Sequence, residues 1–282
     1  MRGYLPSHTK TSNVSTDDIL IVGGNRGLGE ALANIYVGEH KTVYATARHS
    51  APHDRRGINW IPNIDITHEN AGRLISMQYN SSQIDLLVIC AGYFAKEKLD
   101  ALNYEKELLM YKTTAIGPTF LVQNLVSHGL LKEGARIVLV GGESGSVALR
   151  HAIAHGGNYG GHGSKAALNM TAKLLSIDLE KKGIAVSVVH TGYLRKQNPD
   201  GFFEKGGPDG KHRSQIYQTS KLICCVAVKP DEAAHSLRDW IADFDMSKTG
   251  QFWSVRGTAG IPSAEHIMGK QTAATEAVQL PW

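Results

Sequence analysis

Residues Asp18-Ile-Leu-Ile-Val22-Gly23-Gly24-Asn25-Arg26-Gly27-Leu28-Gly29-Glu30-Ala-Leu-Ala33 decide how the rest of the chain is read. An apolar run breaks into glycines and restarts as an amphipathic segment, which is the pattern of a strand, a loop and the start of a helix. Glycines let backbone approach a pyrophosphate, the amides of a helix start donate to it, and the helix dipole favours its charge. The stretch therefore predicts a dinucleotide site at Gly23, Asn25, Arg26, Gly27, Leu28 and Gly29.

Outward from this unit, strand and helix signals alternate without a break in composition. Thr42 to Ala47, Ile58 to Ile64, Asp85 to Cys90, Arg136 to Val140 and Ile184 to Val189 are β-rich or continuously apolar runs suited to buried parallel strands. Helical patterns lie between them at Glu30 to Glu39, Glu69 to Tyr79, Tyr104 to Leu131 and Asn158 to Lys182, the last stopped by Gly183. Repeated βα units predict an α/β fold, a Rossmann-type doubly wound parallel sheet in a single domain. That domain is placed at residues 17–257, between an N-terminal tail of residues 1–16 and a C-terminal tail of residues 258–282. Inside it, the polar, glycine-rich run from Arg195 to Ser214 predicts a substrate lid over residues 195–219.

With 282 residues, 42% of them hydrophobic and 20% charged, the chain can bury one substantial core. No apolar stretch approaches the roughly 20 residues that span a bilayer. The opening MRGYLPSHTKTSN lacks the apolar centre of a secretory signal, so a cytoplasmic protein without a membrane partner is expected. A net charge of +4, with no basic run interleaved with aromatics, gives no reason to expect nucleic acid and suits an anionic cofactor. Cys90, Cys224 and Cys225 have no zinc-ligand spacing and read as reduced thiols. His151, His155, His162 and Glu143 show no helical metal spacing, so no metal is expected.

From about Asp18 to Phe252 the chain resembles the short-chain dehydrogenases and reductases. Its spacing Gly23-x-x-x-Gly27-x-Gly29 is similar to that family's TGxxxGxG, with Val22 at the threonine. Cys90-Ala91-Gly92 stands at the end of the NNAG motif, and Asp65-Ile66 where the family places an adenine-contacting acid. Ser164-Lys165-Ala-Ala-Leu168 matches the SKAAL that follows the catalytic tyrosine, and His190-Thr-Gly192 replaces the proline–glycine turn. Lys229-Pro-Asp-Glu-Ala233 is similar to the family's PEEA helix start, and Pro281-Trp282 to the IPW ending of small carbonyl reductases. The resemblance implies cofactor contacts at Asp65, Ile66, Ala91, Gly92, Lys165, Gly192 and Leu194. It also implies a homodimer or homotetramer built through the two long helices.

Cofactor choice follows charge. An NAD site holds the adenosine ribose with an acid after the second strand, whereas a 2′-phosphate needs cations. Here Ala47-Arg48 follows that strand, the first carboxylate is Asp54, and Arg26 adds a second guanidinium. NADP(H) is the expected cofactor.

The catalytic positions depart from the family pattern. A Tyr-x-x-x-Lys pair sets a phenol and an ammonium on one helix face, but the residue four before Lys165 is Gly161. Tyr159 is read either as a displaced acid or as a packing residue. Gly142 occupies the position of the serine after the fifth strand, leaving Ser144 and Ser146 as substitutes or turn residues, and Thr114 stands at the helix-bending asparagine. His162 lies one residue past Gly161, about 100° away on a helix, and reads as a surface residue. The candidate catalytic set is Lys165, Tyr159, Ser144 and Thr114. Without a phenol, ketone reduction lacks its proton donor, a loss of about a hundredfold or more, whereas an iminium already carries positive charge. The expected activity is hydride delivery to an imine, iminium or conjugated carbonyl of a small apolar metabolite in natural-product biosynthesis. A redox-neutral cyclase or isomerase and a non-catalytic NADP(H)-binding regulator are the alternatives.

Overall fold

The computed structural model describes residues 17–52, 56–150, 156–194, 227–269 and 276–282. Eight strands form one sheet in the order β3-β2-β1-β4-β5-β6-β7-β8. They are β1 Asp18–Val22, β2 Thr42–Thr46, β3 Ile58–Ile61, β4 Ile84–Ile89, β5 Leu131–Val140, β6 Ala185–His190, β7 Gln251–Ser254 and β8 Val278–Leu280. Every pair is parallel except β7 with β8. All five residues of β1 are buried, which is why DILIV reads as a continuous run rather than an alternating one: both faces of the sheet are covered.

Successive side chains of a strand point to opposite faces, and the core divides accordingly. Ile19, Ile21, Val43, Val88 and Val138 pack on one side, against Leu28, Leu32 and Tyr36 of α1 (Gly27–Gly38) and against Ala233, Leu237 and Trp240 of the helix Pro230–Ala242. In chain order the remaining helices are α2 Ala71–Gln78, α3 Tyr104–Tyr111, α4 Gly117–Ser127, α5 Tyr159–Asp178, α6 Pro230–Ala242, which carries those three residues, and α7 Pro262–Met268. Leu20, Val22, Leu87, Ile89, Ile137 and Leu139 face the other way, onto Ile75 of α2, Leu121 and Leu125 of α4, and Leu168 and Ala172 of α5. The two-sided covering is the doubly wound architecture expected from the βα alternation.

Two local expectations change. The helical pattern from Tyr104 runs unbroken through α3, a π-helical turn at Lys112–Ile116 and α4, but it ends at Ser127, and β5 already begins at Leu131. Gly117 opens α4, and a Cβ there would lie 2.2 Å from the Ile66 carbonyl oxygen, so glycine is what lets this helix approach the loop after β3. The second change is at the C-terminus, where the described residues 258–269 and 276–282 pack into the fold and are not an appended tail. Ile261 and Ala264 are buried, β8 pairs antiparallel with β7, and Trp282 stacks on Phe252 with ring centroids 5.8 Å apart. Ala148 N–H also donates to the Trp282 carbonyl at 3.1 Å. A three-residue strand is too short to carry a period in sequence; its pairing with an existing edge makes it a strand.

Residues 1–16 and 195–219, read as a tail and a lid, lie outside the described residues, as do Asp54, His151, His155, Cys224 and Cys225. Among the described residues no helix is long and apolar enough to cross a membrane.

Candidate active site

The glycine loop is built for close backbone approach. Gly23 has φ +85°, donates its N–H to Thr46 Oγ1 at 2.9 Å, and has no room for a side chain: a Cβ would lie 2.9 Å from the Ala91 nitrogen. At Gly29 a Cβ would meet the Gly23 carbonyl oxygen at 2.2 Å, which explains glycine where α1 leaves the strand. Gly27, with φ +57°, has nothing within 4 Å of its Cβ position, and Gly92 is nearly as open. Leu28 is buried beneath the loop, while Asn25 and Arg26 are exposed at its lip. No side chain caps the start of α1 at Arg26. A helix N-terminus without a capping side chain, reached by open glycine backbone, fits a pyrophosphate.

Arg48 stands exposed after β2, and Asp65 lies after β3. Asp65 Oδ1 accepts from Thr67 N–H at 2.9 Å and from its hydroxyl at 2.8 Å. Partial burial works to raise the Asp65 pKa, but the two Thr67 bonds, with Arg48 and His68 nearby, hold the carboxyl below its ordinary value. Ile66 is buried, its carbonyl turned to Gly117.

Beyond the carboxyl ends of β4 and β5, Lys165, Thr114, Ala91, Pro118 and Val140 line a narrow cleft. Lys165 Nζ donates to the Val140 carbonyl at 3.0 Å. Burial pushes its pKa down to about 8, opposed by Cys90, and burial pushes the Cys90 thiol up to about 12, opposed by Lys165. The cleft thus holds an ammonium whose charge burial disfavours. Thr114 is buried in the π turn, so the helix distortion is present with threonine at the asparagine position.

The remaining sequence candidates separate. Gly161 is buried, and a Cβ there would stand 2.9 Å from Phe94 Cε2, so the Phe94 ring fills the space a tyrosine at 161 would enter. Tyr159 is the first residue of α5 and 43% exposed. Ser144 Oγ lies 3.4 Å from the Cβ position of Gly142, which puts a hydroxyl beside the family's serine position. Ser146 is fully buried and caps a turn by accepting from Leu149 N–H at 3.1 Å. Gly192 adopts φ +92°, and Leu194 bridges to Val228. Lys165, Thr114 and Ala91 therefore share one cleft, Ser144 stands beside Gly142, and Tyr159 sits at the outer start of its helix.

A polar cluster that sequence reasoning did not identify lies next to Gly142. Glu143 is buried; its Oε1 accepts from the Tyr193 hydroxyl at 2.7 Å and its Oε2 is paired with Arg150. Burial, then the Glu143 charge and bond, raise the Tyr193 phenol above its ordinary value. His190 is buried edge-on to Tyr193, with centroids 5.6 Å apart. Burial pushes its pKa down to about 4, with Glu143 raising and Lys165 lowering it. His162 is half-buried rather than a surface residue, and burial and Arg150 lower its pKa against Glu143 and a Gly157 backbone bond. The partners are 50 residues apart in the Glu143–Tyr193 case, so no local spacing announces them. A cavity of about 230 Å³ opens beside this cluster at the carboxyl ends of β6 and β7, lined by His190, Tyr193, Ser254 and Arg256 among others.

A doubly wound sheet, a glycine loop at its first βα turn and a buried lysine across the adjoining cleft define a dinucleotide-binding oxidoreductase scaffold. The family model described as short chain dehydrogenase matches residues 17–203, and the chain belongs to that family. It is 30% identical over 259 residues to an uncharacterized oxidoreductase of Schizosaccharomyces pombe, covering 85% of this chain and 95% of that protein. It is 24% identical over 179 residues to a 1-hydroxy-2-glutathionyl-2-methyl-3-butene dehydrogenase of a Rhodococcus species, covering 62% of this chain and 77% of that one. Among solved structures, an NADPH-bound carbonyl reductase from chicken fatty liver superposes with a TM-score of 0.68 at 18% identity, covering 86% of this chain and 93% of that one. A carbonyl reductase from Pseudomonas aeruginosa gives 0.68 at 20% identity, covering 95% and 100% respectively. These two likenesses are in fold.

Proposed function

We propose that this protein is an NADP(H)-dependent reductase with a non-standard active site, acting on an imine, iminium or conjugated carbonyl of a small apolar metabolite of the kind natural-product pathways make. The observation that carries the reading is Gly161 lying under the Phe94 ring, four residues before a retained Lys165 in a chain whose glycine loop is intact. NADP(H), when bound, supplies the hydride. The glycine loop and the start of α1 hold its pyrophosphate, Arg26 and Arg48 favour a 2′-phosphate, and Lys165 donates to ribose hydroxyls. At the reacting end, the Phe94 ring stands where the family sets a phenol, Thr114 is the small hydroxyl of the cleft, and Ser144 lies beside Gly142. A substrate that is already cationic, or whose charge spreads over a conjugated system, needs no strong acid at that place. The NADPH-bound chicken liver reductase, similar in fold, supports the cofactor reading.

The same reading includes a cytoplasmic homodimer or homotetramer. Met170, Leu174 and Ile177 form an exposed apolar stripe on α5, and Ile116 and Phe120 are exposed on the neighbouring helix, the sort of surface that self-association covers.

Incubation with a panel of cyclic imines, enones and simple ketones, with and without NADPH, tests the function while following both product and the absorbance of the reduced nicotinamide. NADPH consumption with imines or enones, and almost none with simple ketones, is expected. Product formed without NADPH consumption favours the redox-neutral cyclase, and cofactor binding without any product favours the regulator. Ready reduction of an ordinary ketone, abolished by Tyr159→Phe, would overturn the reading and make Tyr159 the acid.

A further inference from the structure

The cavity beside β6 and β7 carries a charge that the fold leaves unbalanced. Arg256 lines it, and its Nη1 donates to Ser236 Oγ at 2.7 Å and to the Glu232 carbonyl at 3.5 Å. Among the described residues it makes no ion pair with a carboxylate. Glu143, the acid bonded to the cavity-lining Tyr193, is already committed to Arg150 and to that phenol. With Nη1 tied back to α6, the Nε–Nη2 edge of the guanidinium is the one without a partner among the described residues. That edge presents two parallel N–H donors, the geometry that matches a carboxylate.

His190 lines the cavity, is 4% exposed, and its Nε2 has no hydrogen-bond partner. That nitrogen is shut off from solvent, so His190 contributes the flat of its ring to the wall rather than a hydrogen bond to an occupant. The rest of the lining includes Val228, Gly260 and Ile261, which are small or apolar. The volume of about 230 Å³ equals the liquid share of seven or eight waters at about 30 Å³ each, room for a carboxylate with a short apolar body. Arg256 also approaches Gly192, its Cδ 3.4 Å from the Cβ position there, so the cavity adjoins the turn after β6 rather than a remote surface.

We propose that this cavity is a substrate subsite for a carboxylate, held by the open edge of Arg256, with the apolar body of the ligand against Val228, Ile261 and the His190 ring. The inference rests on the reductase reading above and narrows its substrate to an acid-bearing apolar metabolite. The whole chain, with and without saturating NADPH, is titrated by calorimetry with phenylacetate and with its neutral isostere phenylacetamide. Phenylacetate is expected to bind at least tenfold more tightly. Arg256→Gln should erase that difference and Arg256→Lys keep part of it, since the charge remains without the fork. The ¹⁵N resonances of His190 should shift with phenylacetate and stay in place with the amide, a readout on the unaltered protein that does not depend on any variant folding. Equal binding of the two probes, no binding of phenylacetate, or a preference that survives in a folded Arg256→Gln protein would each overturn the proposal. So would a loss of NADPH affinity in Arg256→Gln as large as the loss of phenylacetate, because Arg256 would then belong to the cofactor. Failure of the reductase reading shows separately, as no NADPH consumption while acid selectivity stands.

Discussion

Replacing Lys165 by methionine should make the cofactor-free protein more stable at neutral pH while removing cofactor affinity. Burial holds the Lys165 pKa at about 8 against an ordinary 10.5, so the folded state carries this charge at a penalty. At about 1.4 kcal/mol for each tenfold in proton affinity, the gap corresponds to about 3.5 kcal/mol, an upper value for the substitution because methionine also loses the bond to the Val140 carbonyl. The sign is that of a base with a depressed folded pKa. Between about 8 and 10.5 the unfolded chain binds more protons, so stability rises with pH through that window and the penalty is full below it. Methionine keeps the unbranched stem and drops the charge. Urea unfolding of both proteins without cofactor is expected to show the variant ahead by about 2 to 3 kcal/mol near pH 7, with the curves converging by about pH 10.5. NADPH titration by fluorescence should show at least a tenfold loss of affinity, the exchange of stability for function common at binding sites. A variant less stable than the parent at pH 7, or a stability difference that does not change with pH, would refute the reasoning.

Further expectations bear on the other parts of the site. Arg48→Asp should invert a preference for NADPH over NADH that is at least tenfold in the parent, because a carboxylate after β2 repels the 2′-phosphate and accepts from a ribose; equal affinities in the parent, measured by titration of both cofactors, rule this out. Gly23→Val should fold yet fail to bind cofactor, since φ +85° and a Cβ 2.9 Å from the Ala91 nitrogen force the loop to move; retained affinity would show that this loop is not the phosphate site. Gly161→Tyr alone should gain no activity on simple ketones, because Phe94 stands in its path, whereas Gly161→Tyr with Phe94→Ala and Gly142→Ser should gain it, as an assay of ketone reduction by each variant will show.

The features legible in the order of amino acids rest on local physics. A glycine spacing that demands positive φ and close backbone approach, apolar runs that need two covered faces, and an amphipathic period are each properties of a few neighbouring residues, so the strand–loop–helix unit, the parallel sheet and the tight glycine loop could be read directly. The missing tyrosine at Gly161 was legible for the same reason, as an i, i+4 count from Lys165. Only the tertiary structure decided what occupies the tyrosine's space, because Phe94 reaches Gly161 from a separate loop. It likewise decided that Glu143, Arg150 and Tyr193 form one buried cluster, that His162 turns inward, and that residues Val278–Leu280 are a strand. Each of these depends on contacts between segments far apart in the chain, where the energy comes from shared burial and paired charge, and no periodicity within either segment records it.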